Sequence, residues 1–296
     1  MTQRYRPRRT MLYVPAHIVK HIDKSRSLQT DSIIFDLQES VPASEKENAR
    51  QTLIRAFQDE NFGNSEKVVR INLLDSQLGF DDLALVAKLP IDAVMFPRIE
   101  SAEQVLQSIA ALDEAGGSDK SIMVNIESPL GVLRAEEIAA SSERISAIVL
   151  GTTDLANALK INLTKDRIGL VNSLSQVVLA ARAYHRCVVD GPHLELKDIH
   201  ACEFSCRQAR DLGFDGKTII HPIQLAYTND AFTPSNHDVS RAKKILVALK
   251  EAQEHGRSIA IINDQLVEPS LHEWAIRVIN IFEQVELLGQ DDLLTK

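Results

Sequence analysis

The sequence predicts an α/β protein: a closed (β/α)8 barrel followed by a C-terminal helix–hairpin–helix extension. Three observations predict it. Short apolar runs alternate with helix-like stretches eight times. The runs are apolar almost throughout, as strands covered on both faces are. Six of them end in a charged or polar residue, at the end of the strand where a β/α barrel assembles its active site. A purely structural chain has no reason to place polar groups at one end of successive buried strands, so the pattern predicts an enzyme.

The units follow in order. TMLYV precedes a helical stretch from His17 to Leu28. SIIFDL precedes Ser44 to Gln58, where Ser44 and Glu47 have the spacing of a capping box. KVVRIN precedes Phe80 to Lys88, and DAVMF precedes Ser101 to Ala115. SIMVNI precedes Pro129 to Ala140, and Pro129 suits a first helical turn. RISAIVL precedes helical pieces between Thr153 and Tyr184. RCVVD precedes Ile199 to Leu212, and KTIIH precedes Pro222 to Asn229. The barrel therefore occupies residues 1–230 and carries the site, and the extension occupies 231–296. In the extension a helix over Ser235 to His255 leads to two short strands around Asn263–Asp264, a hairpin signal. A last helix over Ser270 to Leu288 leads to a frayed tail.

A chain of 296 residues can bury a large core. Its net charge of −8 argues against nucleic acid or an anionic membrane as main partner, though one local arginine can still dominate a site. No apolar run reaches the roughly 18 residues of a membrane span. The basic N-terminus has no apolar segment behind it, so it is not a secretory signal. A cytoplasmic enzyme is expected. Cys187, Cys202 and Cys206 make no disulfide framework; Cys202 and Cys206 share a helix face and read as small buried side chains.

Glu127 and Asp154 stand at the tips of neighbouring fifth and sixth strands. Two converging carboxylates can hold one hard cation, and Mg2+ takes one or two of them while keeping sites for substrate oxygens. Read alone, the two could equally cap their helices. His17 and His21 read as a solvated helix face rather than zinc ligands. Arg70, at the tip of the third strand, must meet an anion: a substrate carboxylate, or Asp36 or Glu39 after the second strand. Asp36, Gln38 and Glu39 are placed to accept hydrogen bonds from Arg70 or from water on a metal. Arg98 and Glu100 end the fourth strand. His221 ends the eighth and reads as a packing residue at the rim rather than a base.

These strings resemble the citrate lyase β-chain and malyl-CoA lyase family of CoA-ester lyases, within the metal-dependent aldolase and phosphoenolpyruvate-binding barrel superfamily. RRTMLYVPA, IIFDLQESV, VVRIN, VMFPRIES, LGTTDLA, GFDGKTIIHPIQ and AFTPS occur in the family's order and span nearly the whole chain. The resemblance implies a TIM barrel, a homotrimer or hexamer, and cleavage of a small 3-hydroxyacyl-CoA into an acyl-CoA and a 2-oxo acid. It implies Mg2+ held by Glu127 and Asp154. It implies catalytic roles for Arg70, Glu39 and Glu268, with Glu268 reaching a neighbouring subunit's site. Substrate contacts fall to Arg70, Asp36, Gly151, Thr152 and Thr153. The chain departs from the family at Gln38, where an acidic residue is usual, and at Ala16, Arg98, Glu268 and the stretch after the seventh strand. Two alternatives remain open: a CoA-independent 2-oxo-acid aldolase, and a citrate lyase β-chain working inside a complex.

Overall fold

The computed structural model describes residues 6–58, 61–262 and 265–294, with side chains as far as 287. They form two compact units: Arg8–Phe232, and the chain from Thr233 onward together with Arg6 and Pro7.

The first unit is a closed barrel of eight parallel strands in sequential order. The strands are β1 (Thr10–Pro15), β2 (Ser32–Asp36), β3 (Glu66–Arg70), β4 (Ala93–Phe96), β5 (Ser121–Ile126), β6 (Ile145–Leu150), β7 (Cys187–Asp190) and β8 (Gly216–Ile219). Between them run α1 (Val19–Ser25), α2 (Lys46–Gln58), α3 (Gln77–Val86), α4 (Ala102–Glu114), α5 (Pro129–Leu133), α6 (Ala135–Ala140), α7 (Thr152–Leu159), α8 (Val171–Ala183), α9 (Ile199–Leu212) and, after β8, α10 (Leu225–Phe232).

Alternation along each strand explains why the runs are apolar on both faces. One set, including Met11, Ile34, Val68, Met95, Met123 and Val149, fills the barrel interior. The other set, including Ile33, Phe35, Val69, Val94, Ile148 and Val188, packs under the helices. Ion pairs close the N-terminal end of the barrel: Arg8 donates twice to Glu66, at 2.7 and 2.6 Å, and Arg9 grips Asp31. Lys217 and Asp190 face each other across β7 and β8, both fully buried, and Arg167 joins the same carboxylate at 2.7 Å.

Several local expectations are corrected. Ser44 and Glu47 form no capping box. Ser44 lies inside a 3₁₀ turn, Ala43–Glu45, and Glu47 is drawn instead to Arg50, whose guanidinium offers a charge-assisted bond that a backbone N–H cannot match. The first helix starts at Val19, so His17 precedes it. The stretch from Pro129 to Ala140 is two helices. The chain leaves helical geometry at Arg134, with φ −105° and ψ 16°, and Gly131 lets α5 approach the Ile99 carbonyl, where a Cβ would stand 2.8 Å away. Cys202 and Cys206 are both buried on the inner face of α9.

In the second unit α11 (Asn236–Glu254) begins with a complete capping box between Ser235 and Asp238. The hairpin β9 (Ala260–Ile262) and β10 (Gln265–Val267) is antiparallel, and its turn at Asn263–Asp264 lies outside the described residues. α12 runs Leu271–Leu294, longer than the sequence suggests. Val239, Ala242, Ile245, Val267, Ala275 and Val278 form this unit's own core. Among the described residues no helix is long and apolar enough to cross a membrane.

Candidate active site

The barrel brings all of the expected site residues but Glu268 to one mouth. Asp36 and Arg70 are register partners at the ends of β2 and β3. Arg70 Nε and Nη2 donate to the two Asp36 oxygens, each at 2.8 Å. Asp36 also accepts from the backbone N–H groups of Gln38 and Ser40, both at 2.9 Å. Burial alone would raise the Asp36 carboxyl, but the bonds and charge of Arg70 outweigh it and hold that carboxyl low. Glu39, nearly half-exposed, lies 3.6 Å from Arg70 Nη1. Tyr13, which the sequence reading passed over, places its ring 4.6 Å beneath the guanidinium. Burial pushes the Tyr13 hydroxyl up to about 12, so it stays neutral. Arg70 is thus fixed from one edge and one face, with N–H groups to spare for a ligand.

Glu127 follows β5 and is buried. Its Oε1 accepts from the Arg98 backbone N–H at 3.0 Å, and its Oε2 accepts from Asn125 Nδ2. Arg98 adopts a left-handed φ of 51° to make that donation, while its side chain is half-exposed and lies 3.7 Å from the same oxygen. Gly151 precedes α7 and must be glycine for this geometry, since a Cβ there would stand 2.5 Å from Glu127 Oε2. α7 opens with Thr152, Thr153 and Asp154, and Thr152 is buried. Neither carboxylate caps a helix: Ser128 caps α5, and Gly151 precedes α7 with no side-chain cap. Burial pushes Glu127 up to about 7, with Asp154 and Glu39 adding to the rise and Arg70 and Arg98 opposing it. Burial and like charge together raise this carboxyl, and a bound cation would oppose both.

The donor set fits a hard divalent ion such as Mg2+. The groups are oxygens throughout, and two further buried oxygens, Asn125 Oδ1 and Gln38 Oε1, lack hydrogen-bond partners among the described residues. No group of three or more His, Cys, Asp or Glu side chains suited to a metal occurs among those residues, so a cation here would rest on two carboxylates and complete its shell with water or substrate.

A buried network holds the two arginine-side loops. Lys46 Nζ donates to the carbonyls of Leu37 and Gln38 and to Asn72 Oδ1, at 2.6, 2.5 and 2.8 Å. Asn72 donates in turn to Leu37 O and to buried Asp82, which Arg50 neutralises at 2.9 Å. Lys46→Met is expected to cost about 2–4 kcal/mol, because buried acceptors lose a charged donor. Urea unfolding measures this, and an unchanged midpoint would show that the loops hold without it.

The remaining residues fall elsewhere. His221 accepts from Ile223 N at 3.1 Å and caps a 3₁₀ turn, a packing role. Glu100 uses its backbone N–H to hold Gln104. Glu268 belongs to the second unit, immediately after β10, and is exposed. Asn125 was missed because a polar residue in mid-strand carries no signal until its inward direction is known. Its place two residues before Glu127 on one strand face was the available hint.

Residues 9–222 match the family described as HpcH/HpaI aldolase/citrate lyase. A relative named (3S)-malyl-CoA thioesterase, from Cereibacter sphaeroides, is 36% identical over 92% of this chain and 93% of its own length. A citrate lyase subunit beta from Haemophilus influenzae is 33% identical over 92% of this chain and 96% of its own. The crystal structure of the protein CitE from Mycobacterium tuberculosis, in complex with magnesium, acetoacetate and coenzyme A, superposes with a TM-score of 0.75 at 26% identity, covering 94% of this chain and 98% of that one. An eight-stranded barrel with charged groups at one mouth and a match over most of its length lead to one assignment: this chain is an enzyme of the HpcH/HpaI aldolase/citrate lyase family of lyases.

Proposed function

We propose that the protein is a cytoplasmic, Mg2+-dependent carbon–carbon lyase for a small 3-hydroxyacyl-CoA of the malyl-CoA or citramalyl-CoA type. Its products are an acyl-CoA such as acetyl-CoA and a 2-oxo acid, glyoxylate or pyruvate. The observation that carries this reading is the meeting of Glu127, Asp154 and an Asp36-braced Arg70 at one barrel mouth. Cleaving such a thioester turns an alkoxide into a carbonyl and releases a thioester enolate. Negative charge moves between oxygens, and fixed positive charge stabilises it.

Glu127 and Asp154 hold the ion, which when bound supplies Lewis acidity at the oxygens of the 2-oxo acid. Arg70 binds the oxo-acid end and faces the oxygen where charge changes; Asp36 keeps its fork aimed and Glu39 trims its charge. Gly151, Thr152 and Thr153 line the approach to Glu127. Glu268 gives the enolate carbon its proton, from the C-terminal segment of a neighbouring subunit in a trimer or hexamer. Residues 1–230 thus carry the metal and oxo-acid groups, and 231–296 cover a neighbour's site and bring Glu268 to it.

Glu268→Ala tests the proton step. Wild type incubated with acetyl-CoA in heavy water is expected to exchange the methyl protons, and the variant to lose that exchange by about 10²-fold or more. Equal exchange in both would remove Glu268 from the mechanism.

The relatives named (3S)-malyl-CoA thioesterase favour a second reading, hydrolysis of the same thioester to free malate and CoA. Product identity separates the two readings, since only carbon–carbon cleavage leaves the acyl-CoA intact.

A further inference from the structure

Asn125 interrupts the apolar run of β5, and alternation points it the same way as Met123, into the barrel interior. It is 1% exposed. Its register partner on β6 is Val149, another residue of the interior core. Burying an amide among apolar side chains is costly unless its hydrogen-bonding positions are filled. Here Nδ2 donates to Glu127 Oε2, while Oδ1 has no partner among the described residues. An apolar side chain of similar shape would suit the interior better, so stability does not account for the amide.

Glu127 does account for it. The Arg98 backbone N–H holds Oε1 at 3.0 Å, and Gly151 leaves room for Oε2 where a Cβ would stand 2.5 Å from it. With a second donor on Oε2, the two oxygens are tied to different segments and the plane of the carboxylate is set. With one donor alone, the carboxylate turns about its terminal torsion, which is broad and soft. We propose that Asn125 is a positioning residue, whose Nδ2 fixes the plane in which Glu127 presents its remaining lone pairs to a hard cation. An ionised carboxylate only accepts, so the amide must turn Nδ2 toward it, and that orientation explains why Oδ1 is left unpartnered. The inference rests on the metal reading of Glu127 above.

Asn125→Leu in the full chain keeps the branched shape and removes both polar ends. Calorimetry with Mg2+ alone at pH 8 is expected to show binding about 10–100-fold weaker than in wild type. In EDTA at pH 5, the urea midpoint should equal or exceed that of wild type, because an unpartnered buried carbonyl leaves with the amide. A merely structural residue would give the reverse, a lower midpoint with Mg2+ affinity intact. Equal Mg2+ affinity in the two proteins overturns the inference and leaves the lyase reading standing. Loss of fold in EDTA overturns it too, since Asn125 would then be structural. Weakened Mg2+ binding with the fold kept supports it even if wild type cleaves no thioester, in which case the lyase reading alone falls. No Mg2+ binding by wild type overturns the inference together with the metal site.

Discussion

Glu127→Gln is expected to lower Mg2+-dependent cleavage by about 10³-fold or more while the barrel stays folded, and Asp154→Asn should do the same. On the proposed reading, each removes one of the two carboxylates that hold the ion. The consequence for stability has the opposite sign. Glu127 is buried and titrates near 7, against an ordinary 4.5. Between those values the folded chain keeps a proton that the unfolded chain has lost. Without metal, stability therefore falls as pH rises from about 4.5 to about 7, and then levels. Gln removes that titration, so Glu127→Gln should be more stable than metal-free wild type at pH 8, by about 2–3 kcal/mol. Mg2+ affinity in wild type should rise through the same window, because the ion competes with that proton. Denaturant titrations at pH 5 and 8, with calorimetric Mg2+ binding, check all three. A variant that binds Mg2+ like wild type would take Glu127 out of the site.

Arg70→Ala should cost both turnover and fold. Turnover falls by about 10²–10⁴-fold if Arg70 faces the developing charge. Stability falls by about 3–5 kcal/mol, because Asp36 is left buried without its cation. The two losses can be separated. Asp36 is held low by Arg70, so the pair's contribution is present above the ordinary Asp range and is lost on acidification through the lowered value. Arg70→Ala combined with Asp36→Asn removes the orphaned charge and should recover much of the stability and none of the activity. Recovery of activity with stability would reduce Arg70 to a structural ion pair.

The barrel was legible in the sequence because a strand covered on both faces must be apolar throughout, and eight such runs recur with helices between them. The mouth residues were legible for a related reason. A charge such as Arg70 or Glu127 ending an apolar run stands out against its neighbours, and the strand end fixes where it lies. The supporting groups were hidden because their partners are distant in sequence. Lys46, Asn72 and Asp82 look like ordinary loop and helix polars until three segments meet. Lys217 and Asp190 are 27 residues apart and read as flanking charges, yet they lie fully buried between sheet and helices. The capping box at Ser44 failed because a local pattern lost to stronger charged partners, Arg50 for Glu47 and the loop carbonyls for Lys46. Gly151 shows what pattern reading misses in a small residue: it fits because Glu127 passes where a side chain would be.

The most direct test is a cleavage assay of the purified chain alone, with Mg2+ or with EDTA, on malyl-CoA, methylmalyl-CoA, citramalyl-CoA and citryl-CoA. Mg2+-dependent release of an intact acyl-CoA together with a 2-oxo acid is expected from at least one of them, abolished by EDTA. Full activity in EDTA, or release of free CoA and an uncleaved hydroxy acid, would contradict it.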